Sequence, residues 1–307
     1  MKRFLQLFWS TLLFINVVAQ TNAFTISING DNGTLGETVA NKTCQQAGEE
    51  SFTSDAHLTK YTSKESYGGG RAYEMTALQG KTGFGHFGGI VNFTQCGHAG
   101  GRVLVKGEEI WIRFRIKFPR DFQFNSNGRN KFLRLRTFHD ENGTPVSEGY
   151  NDLYIDGPPG TEPHKGRAPF QYIFEGAAKW YRLTDAPFFE MGKWETIEYH
   201  IRLDDQKGTE GGNSMMRVWL NGNLIGETND RNTLKTPESY INSLYFFTYW
   251  DNEGADKTQT LWVDDLVITS DRPSEVDANG NPFIGMGELH TFPRPLPPHN
   301  LQIDRPQ

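Results

Sequence analysis

An all-β domain, built as a two-sheet antiparallel sandwich of jelly-roll type, is what this sequence predicts, on three features. Short runs of alternating apolar and polar residues recur through the middle of the chain, at the two-residue period of a half-buried strand. Turn-forming Gly, Asn and Asp separate them, with 33 glycines in 307 residues. Long stretches at the helical period are scarce. The length fits one large domain or two small ones and is ample for a core that folds alone.

The strands follow in order. Trp111 to Phe118 sends Ile112, Phe114, Ile116 and Phe118 one way and Trp111, Arg113, Arg115 and Lys117 the other. Phe132 to Phe138 puts Leu133 and Leu135 on one face, Arg134 and Arg136 on the opposite one. From Trp194 to Leu203, Ile197, Tyr199, Ile201 and Leu203 look inward, with Glu198, His200 and Arg202 outside. Arg217 to Leu220 turns Val218 and Leu220 inward and Arg217 and Trp219 outward. Asn221-Gly222 then predicts a type I′ hairpin into Leu224-Ile225. Ser243 to Trp250 is almost wholly apolar or aromatic, as a strand covered on both faces would be. With Leu244 and Phe246 in the core, Tyr245, Phe247 and Tyr249 line the other surface. Leu261 to Thr269 is the last strand and carries Asp264-Asp265 inside it.

The ends differ from this middle. Residues 1–23 read as a secretory signal: Lys2 and Arg3, an apolar run from Phe4 to Ala19, then small residues at Thr21-Asn22-Ala23. A membrane anchor fits less well, because Gln6, Ser10, Thr11 and Asn16 interrupt a short run. The expectation is a secreted or periplasmic protein with no membrane span once the signal is removed. The domain then covers 24–272. The tail, 273–307, holds seven of the fifteen prolines and reads as an extended strap over the domain or a loose end.

Cys44 and Cys96 are the two cysteines. In an oxidising compartment they pair most simply as one disulfide, closing a loop of about 50 residues worth about 4 kcal/mol. Two free buried thiols are the alternative. Sequons stand at Asn32, Asn41, Asn92 and Asn142.

Charge narrows the function classes. The chain has 31 Lys+Arg against 37 Asp+Glu, a net −6, which argues against a general nucleic-acid partner. A mean hydropathy of −0.60 excludes a multi-span membrane protein. Yet the non-core faces are basic and aromatic: Arg113, Arg115, Lys117, Arg134, Arg136, His200, Arg202 and Arg217, with Trp219, Tyr245 and Tyr249 among them. On a sheet that bends into a groove, such a face suits an anionic sugar chain. Guanidinium forks grip carboxylate or sulfate, and rings stack on sugar faces. Solvated outer faces are the plain alternative, since these strands need not share one sheet.

The order of short phrases adds to this. Tyr67-Gly-Gly-Gly-Arg-Ala-Tyr-Glu-Met75 is followed by Gly83-Phe-Gly-His-Phe-Gly-Gly89, the Trp111 strand, Pro119-Arg-Asp-Phe122 and Gly128-Arg-Asn-Lys-Phe-Leu-Arg134. Trp194-Glu-Thr-Ile-Glu-Tyr199, Arg217-Val-Trp-Leu-Asn-Gly222 and Leu244-Tyr-Phe-Phe-Thr-Tyr-Trp250 come later. Over roughly residues 60 to 270 the chain resembles the concanavalin A-like jelly-roll polysaccharide lyases, especially those acting on alginate or glucuronan-type polyuronates. It departs at Gly128-Arg-Asn-Lys131, where those lyases often carry Gly-Gly-Lys, and at Asp251-Asn-Glu-Gly254, where Gly-Gly is common.

The resemblance implies β-elimination on an acidic polysaccharide. Hydrogen-bond donors neutralise the uronate carboxylate, a base takes the C5 proton and an acid protonates the oxygen leaving C4. On this reading Arg134 and Arg136 hold the carboxylate, Tyr245 is the acid or acid/base, and His139 or His86 is the base. Arg113, Arg115, Lys131, Tyr172, His200, Arg217, Trp219 and Tyr249 would bind substrate. No cofactor is needed for catalysis. Jelly-roll sugar domains often hold a structural Ca²⁺, for which Glu37 and Asp264 or Asp265 would supply oxygens, unless these are ordinary surface carboxylates. A monomer is expected.

A non-catalytic carbohydrate-binding or lectin-like module for anionic glycans needs the same face without a placed acid and base. A glycoside hydrolase needs two flanking carboxylates. Asp152 and Asp156 share a strand face, but Asp156-Gly157-Pro158-Pro159 reads as a turn, and an E-x-D-x-x-E pattern is absent. Gly80-Lys81-Thr82 is no P-loop, since Met75 stands where its first glycine belongs. H-E-x-x-H and G-x-S-x-G are absent.

Overall fold

A computed structural model describes residues 23–39, 52–53, 58–83, 87–94, 102–124, 129–157, 169–176, 179–205 and 212–287. Cys44, Cys96, His86, Asn41, residues 1–22 and the tail 288–307 lie outside the described residues, as do the side chains of Thr248 and Tyr249.

The described residues form strands and no helix, so no helix there is long and apolar enough to cross a membrane. In chain order the strands are β1 (Thr25–Ile28), β2 (Phe52–Thr53), β3 (Thr59–Thr62), β4 (Ala72–Ala77), β5 (Gly89–Asn92), β6 (Glu109–Lys117), β7 (Asn130–Glu141) and β8 (Thr144–Ile155). They continue as β9 (Phe170–Phe174), β10 (Lys179–Leu183), β11 (Trp194–Arg202), β12 (Met215–Leu220), β13 (Asn223–Asn229), β14 (Tyr240–Trp250) and β15 (Gln259–Thr269).

Two antiparallel sheets result. The eight-strand sheet runs β13-β12-β11-β6-β15-β4-β3, with β1 also on β15; the seven-strand sheet runs β10-β9-β8-β7-β14-β5-β2. This is the jelly-roll sandwich the alternation predicts. The inward residues of β6, β7, β11, β12 and β14 named above are all buried in the shared core. Phenylalanines dominate it: Phe114 meets Phe246 at 4.7 Å and Phe132 at 5.4 Å, both edge-on, the arrangement ring quadrupoles favour.

Two hairpins have the turn chemistry that Asn-Gly provides. Asn221 (φ 50°) and Gly222 (φ 77°) join β12 to β13, and Asn142 (φ 52°) and Gly143 (φ 78°) join β7 to β8. Both central residues of a type I′ turn need positive φ, which Asn and Gly adopt at least cost.

One face assignment is corrected. Phe247 lies in the core, 0% exposed, because β14 bulges between Phe246 and Tyr249 and Phe247 adopts a φ of 51°. The extra residue shifts the alternation by one position.

The larger correction concerns the basic faces, which divide between the two sheets. Arg113 and Arg115 on β6, His200 on β11, and Arg217 and Trp219 on β12 belong to the eight-strand sheet. The segment 276–287 lies across that outer face. Trp111 Nε1 donates to Pro282 O (3.1 Å), Arg113 Nη1 to Gly287 O (2.8 Å), and Arg115 Nη2 to Met286 O (2.6 Å). In return Glu198 Oε1 accepts from Ile284 N (2.6 Å). Trp219 donates to Asp277 Oδ2 (2.9 Å), and its ring stacks on Phe283 at 5.9 Å. These side chains bind the strap's backbone and its Asp277 carboxylate, and are buried because the strap excludes water from them.

Candidate functional site: the outer face of the seven-strand sheet

The register of β14, β7 and β8 builds the site. Tyr245 stands opposite Arg134, and Arg134 opposite Asp152; Arg136 stands opposite Tyr150. Lys131 faces Tyr154 across a bulge. All point away from the core, since their neighbours Leu133, Leu135, Leu153 and Leu244 point into it. One face therefore gathers two arginines, a lysine, three tyrosines and a carboxyl within three adjacent strands.

Arg136 is the half-buried cation at its centre. Its Nη1 donates to Tyr245 Oη at 2.6 Å and its Nε to Ser147 Oγ at 3.3 Å, while Nη2 has no partner among the described residues. The guanidinium also lies 4.6 Å from the Phe138 ring centre. Tyr150 meets Tyr245 edge-on at 5.4 Å. Burial pushes the Tyr150 phenol up to about 12, against the pull of Arg136 and Arg134, so it keeps its proton at neutral pH.

Arg134 lies deeper, 3% exposed, with its guanidinium 3.7 Å from the Tyr150 ring centre. Its Nε donates to Asp152 Oδ1 (2.9 Å) and its Nη2 to Glu175 Oε1 (2.8 Å). Lys131 Nζ also reaches Glu175, at 3.2 Å. The two carboxyls behave differently. Burial pushes Asp152 up to about 7, although Arg134 pulls it down. Glu175 is also penalised by burial, but Arg134 and Lys131 outweigh this and hold it below the usual carboxylate range. Arg134 is thus locked between carboxyls and stacked under Tyr150, whereas Arg136 keeps Nη2 without a partner among the described residues.

Among the residues read from the sequence, Tyr245, Arg134, Arg136 and Lys131 come together here. His139 does not. Phe138 shares the Arg136 side, so His139 points to the reverse face of β7, where Nδ1 lies 2.9 Å from Glu148 and Nε2 3.0 Å from Glu141. The Nδ1–Glu148 approach is poorly aligned for a hydrogen bond. Tyr172 is a core residue, 2% exposed, donating to Asn151 Oδ1 (2.6 Å) and lining a cavity of about 10 Å³ between the sheets. His200 is fully buried, stacked on Trp111 at 4.3 Å and 3.1 Å from Glu109. Arg217 pairs with Glu227 on the same outer face. Arg113, Arg115 and Trp219 lie beneath the strap. None of these six can reach a glycan on the outer face of the seven-strand sheet.

Of the carboxylates read as Ca²⁺ ligands, Asp264 is engaged by the backbone. Asp264 spends its oxygens on the backbone N–H groups of Tyr67 and Asp265, each at 2.9 Å. Among the described residues no three His, Cys, Asp or Glu side chains gather to hold a metal, so Glu37, Asp264 and Asp265 form no such group.

Tyr150, Tyr154, Glu175 and Trp180 belong to this face and escaped the sequence reading. The Asn142-Gly143 turn and the alternation Tyr150, Asp152, Tyr154 were the signals for β8.

No family model matches the sequence, and no curated relative matches it. Solved structures do. The alginate lyase Aly36B is 14% identical, covering 80% of this chain and 96% of its own at a TM-score of 0.50. A double mutant of that lyase in complex with alginate trisaccharide gives 0.52 at 12% identity, over 80% and 97%. An endo-β-1,4-glucuronan lyase from the fungus Trichoderma reesei gives 0.47 at 14%, over 72% and 90%. At such identities the likeness is one of fold: this is a jelly-roll sandwich of the kind polysaccharide lyases use.

Proposed function

We propose that the outer face of the seven-strand sheet binds an acidic, uronate-containing polysaccharide and cleaves it by β-elimination. One observation carries the reading: Arg136, half-buried with Nη2 unpartnered among the described residues, is hydrogen-bonded to Tyr245 and flanked by Tyr150. A uronate carboxylate on Nη2 would sit beside two phenols. The lyase-like fold supports the same reading, as does the alginate bound to a lyase of similar fold. Export, expected from residues 1–23, would bring the protein to such polymers.

Arg136 neutralises the carboxylate, which lowers the cost of charge developing as C5 loses its proton. Tyr245, in its phenolate form beside the Arg136 guanidinium, takes that proton, and the C5–H electron pair becomes the C4=C5 double bond. The C4–O bond breaks, and its oxygen takes a proton from Tyr150. The products are a new chain end and an unsaturated uronate; no water is consumed. With His139 on the reverse face, tyrosines are the proton carriers among the described residues.

The test is the ultraviolet absorbance of the unsaturated product over alginate, glucuronan, ulvan, pectin and glycosaminoglycans. Rising absorbance on one polymer supports the reading. Retention on a polymer with no product would favour a binding module. The capture of Arg134 by Asp152 and Glu175 favours that second reading, because it leaves one arginine rather than two for the carboxylate.

A further inference from the structure

The same face continues beyond the proton carriers. In register across the sheet stand Ile90, Tyr245, Arg134, Asp152, Ile173 and Trp180, one from each of β5, β14, β7, β8, β9 and β10. Trp180 ends this row on the edge strand. It is 37% exposed, a large apolar ring open to solvent. Burial of a ring is worth kilocalories, so one held at the surface and surrounded by cations marks a contact surface.

The surroundings are specific. The Tyr154 ring lies 5.5 Å from Trp180. Arg129 stands 4.8 Å from the Trp180 ring centre, and Lys131 4.9 Å from that of Tyr154. Arg182, two residues along β10 on the same face, is exposed. The strand is anchored from behind: Tyr181 Oη donates to Glu227 O (2.8 Å) on the opposite sheet, and Arg231 lies over the Tyr181 ring at 5.5 Å. Trp180 is therefore held on a fixed edge.

We infer that Trp180, with Tyr154 beneath it and Arg129 and Arg182 beside it, forms a distal subsite that stacks a sugar ring of an acidic glycan lying across the strands. The inference rests on the reading of the face given above. Four strand spacings of about 4.8 Å place Trp180 about 19 Å from Tyr245, the length of a few sugar rings. A chain gripped at both points is bound well inside its length, which makes the action internal rather than terminal. Short oligomers at Tyr245 cannot reach Trp180 and gain nothing from it.

The test titrates the full chain with alginate and glucuronan and with their di- to trisaccharide and longer fragments, measuring Kd by calorimetry and, where product forms, KM and kcat. Trp180→Ala should weaken long chains about tenfold, which corresponds to about 1.4 kcal/mol. It should raise KM with kcat unchanged and leave short fragments unaffected. Trp180→Phe, which keeps a ring, should restore most of the loss. Equal affinity of wild type and Trp180→Ala for long chains would overturn the subsite, as would an equal loss for short ones. Binding without cleavage would remove the lyase reading while leaving the subsite tested by Kd. Absence of binding to every polymer would overturn both.

Discussion

The Arg136 guanidinium donates a 2.6 Å hydrogen bond to the Tyr245 hydroxyl across the β7–β14 pair. A guanidinium can only donate, so the phenol oxygen accepts. Removing the Tyr245 oxygen while keeping its ring, in Tyr245→Phe, should cut product formation at least about 100-fold, the scale of a lost acid–base group. Arg136→Ala should do the same, and Arg136→Lys should recover part of the activity. Tyr245→Phe and Arg136→Ala should both melt near the wild type, since neither empties the core. Undiminished turnover in the two variants would reject this assignment.

Stability should fall as pH rises from about 4 to about 7, in part through Glu198. Burial raises its carboxyl to about 7, despite the Ile284 and Gly285 N–H groups and Arg113. The folded state then holds a proton that the unfolded state has lost, so deprotonation opposes folding in that window. Asp264 is raised to about 7 as well. His200 works in the opposite sense, because burial lowers its value and folding prefers it neutral. The difference between wild type and Glu198→Gln isolates one group. The variant's melting temperature should decline less steeply between pH 5 and 8, and parallel curves would contradict the attribution.

Asp277 secures the strap. It accepts from Trp219 Nε1, Asn279 N, Asn281 N and Asn281 Nδ2, all between 2.8 and 3.0 Å. Burial opposes its charge, but these donors outweigh it and lower its value. Asp277→Ala should cost about 1–3 kcal/mol, the penalty of leaving such donors unmatched. The loss should shrink as pH drops through the carboxylate range, where wild-type Asp277 is itself protonated. Thermal melts at neutral and acidic pH provide the comparison.

Gly88 is set by its neighbours. Its φ is 77°, and a Cβ there would collide with the Phe246 and Phe247 carbonyl oxygens. Those atoms belong to the bulged stretch of β14 next to Tyr245. Gly88→Ala should therefore lower stability by about 1–3 kcal/mol and reduce activity together. A variant that melts and turns over like wild type would show that the loop adapts freely.

The inward side chains of β6, β7, β11 and β12 were legible because each strand reports its own two faces. Apolar residues at every second position leave little choice when one face must be dry. The pairing of Arg134 and Arg136 on one face of β7 followed from the same period. Phe247 was not legible: its bulge arises in the pairing with β7, and β14 is apolar on both sides of it.

Alternation names the face of a strand but not the sheet that the strand joins. Patterning along the chain specifies an antiparallel sandwich, its core, and the Arg134, Arg136 and Tyr245 side chains that look away from it. It takes the pairing of distant strands to put Arg113, Arg115, His200 and Trp219 on the other sheet, under the strap, while Tyr150, Tyr154, Glu175 and Trp180 join the candidate site. Sheet membership comes from hydrogen bonds between segments far apart in the chain, such as β6 with β15 or β7 with β14. Local patterning carries no record of those partners.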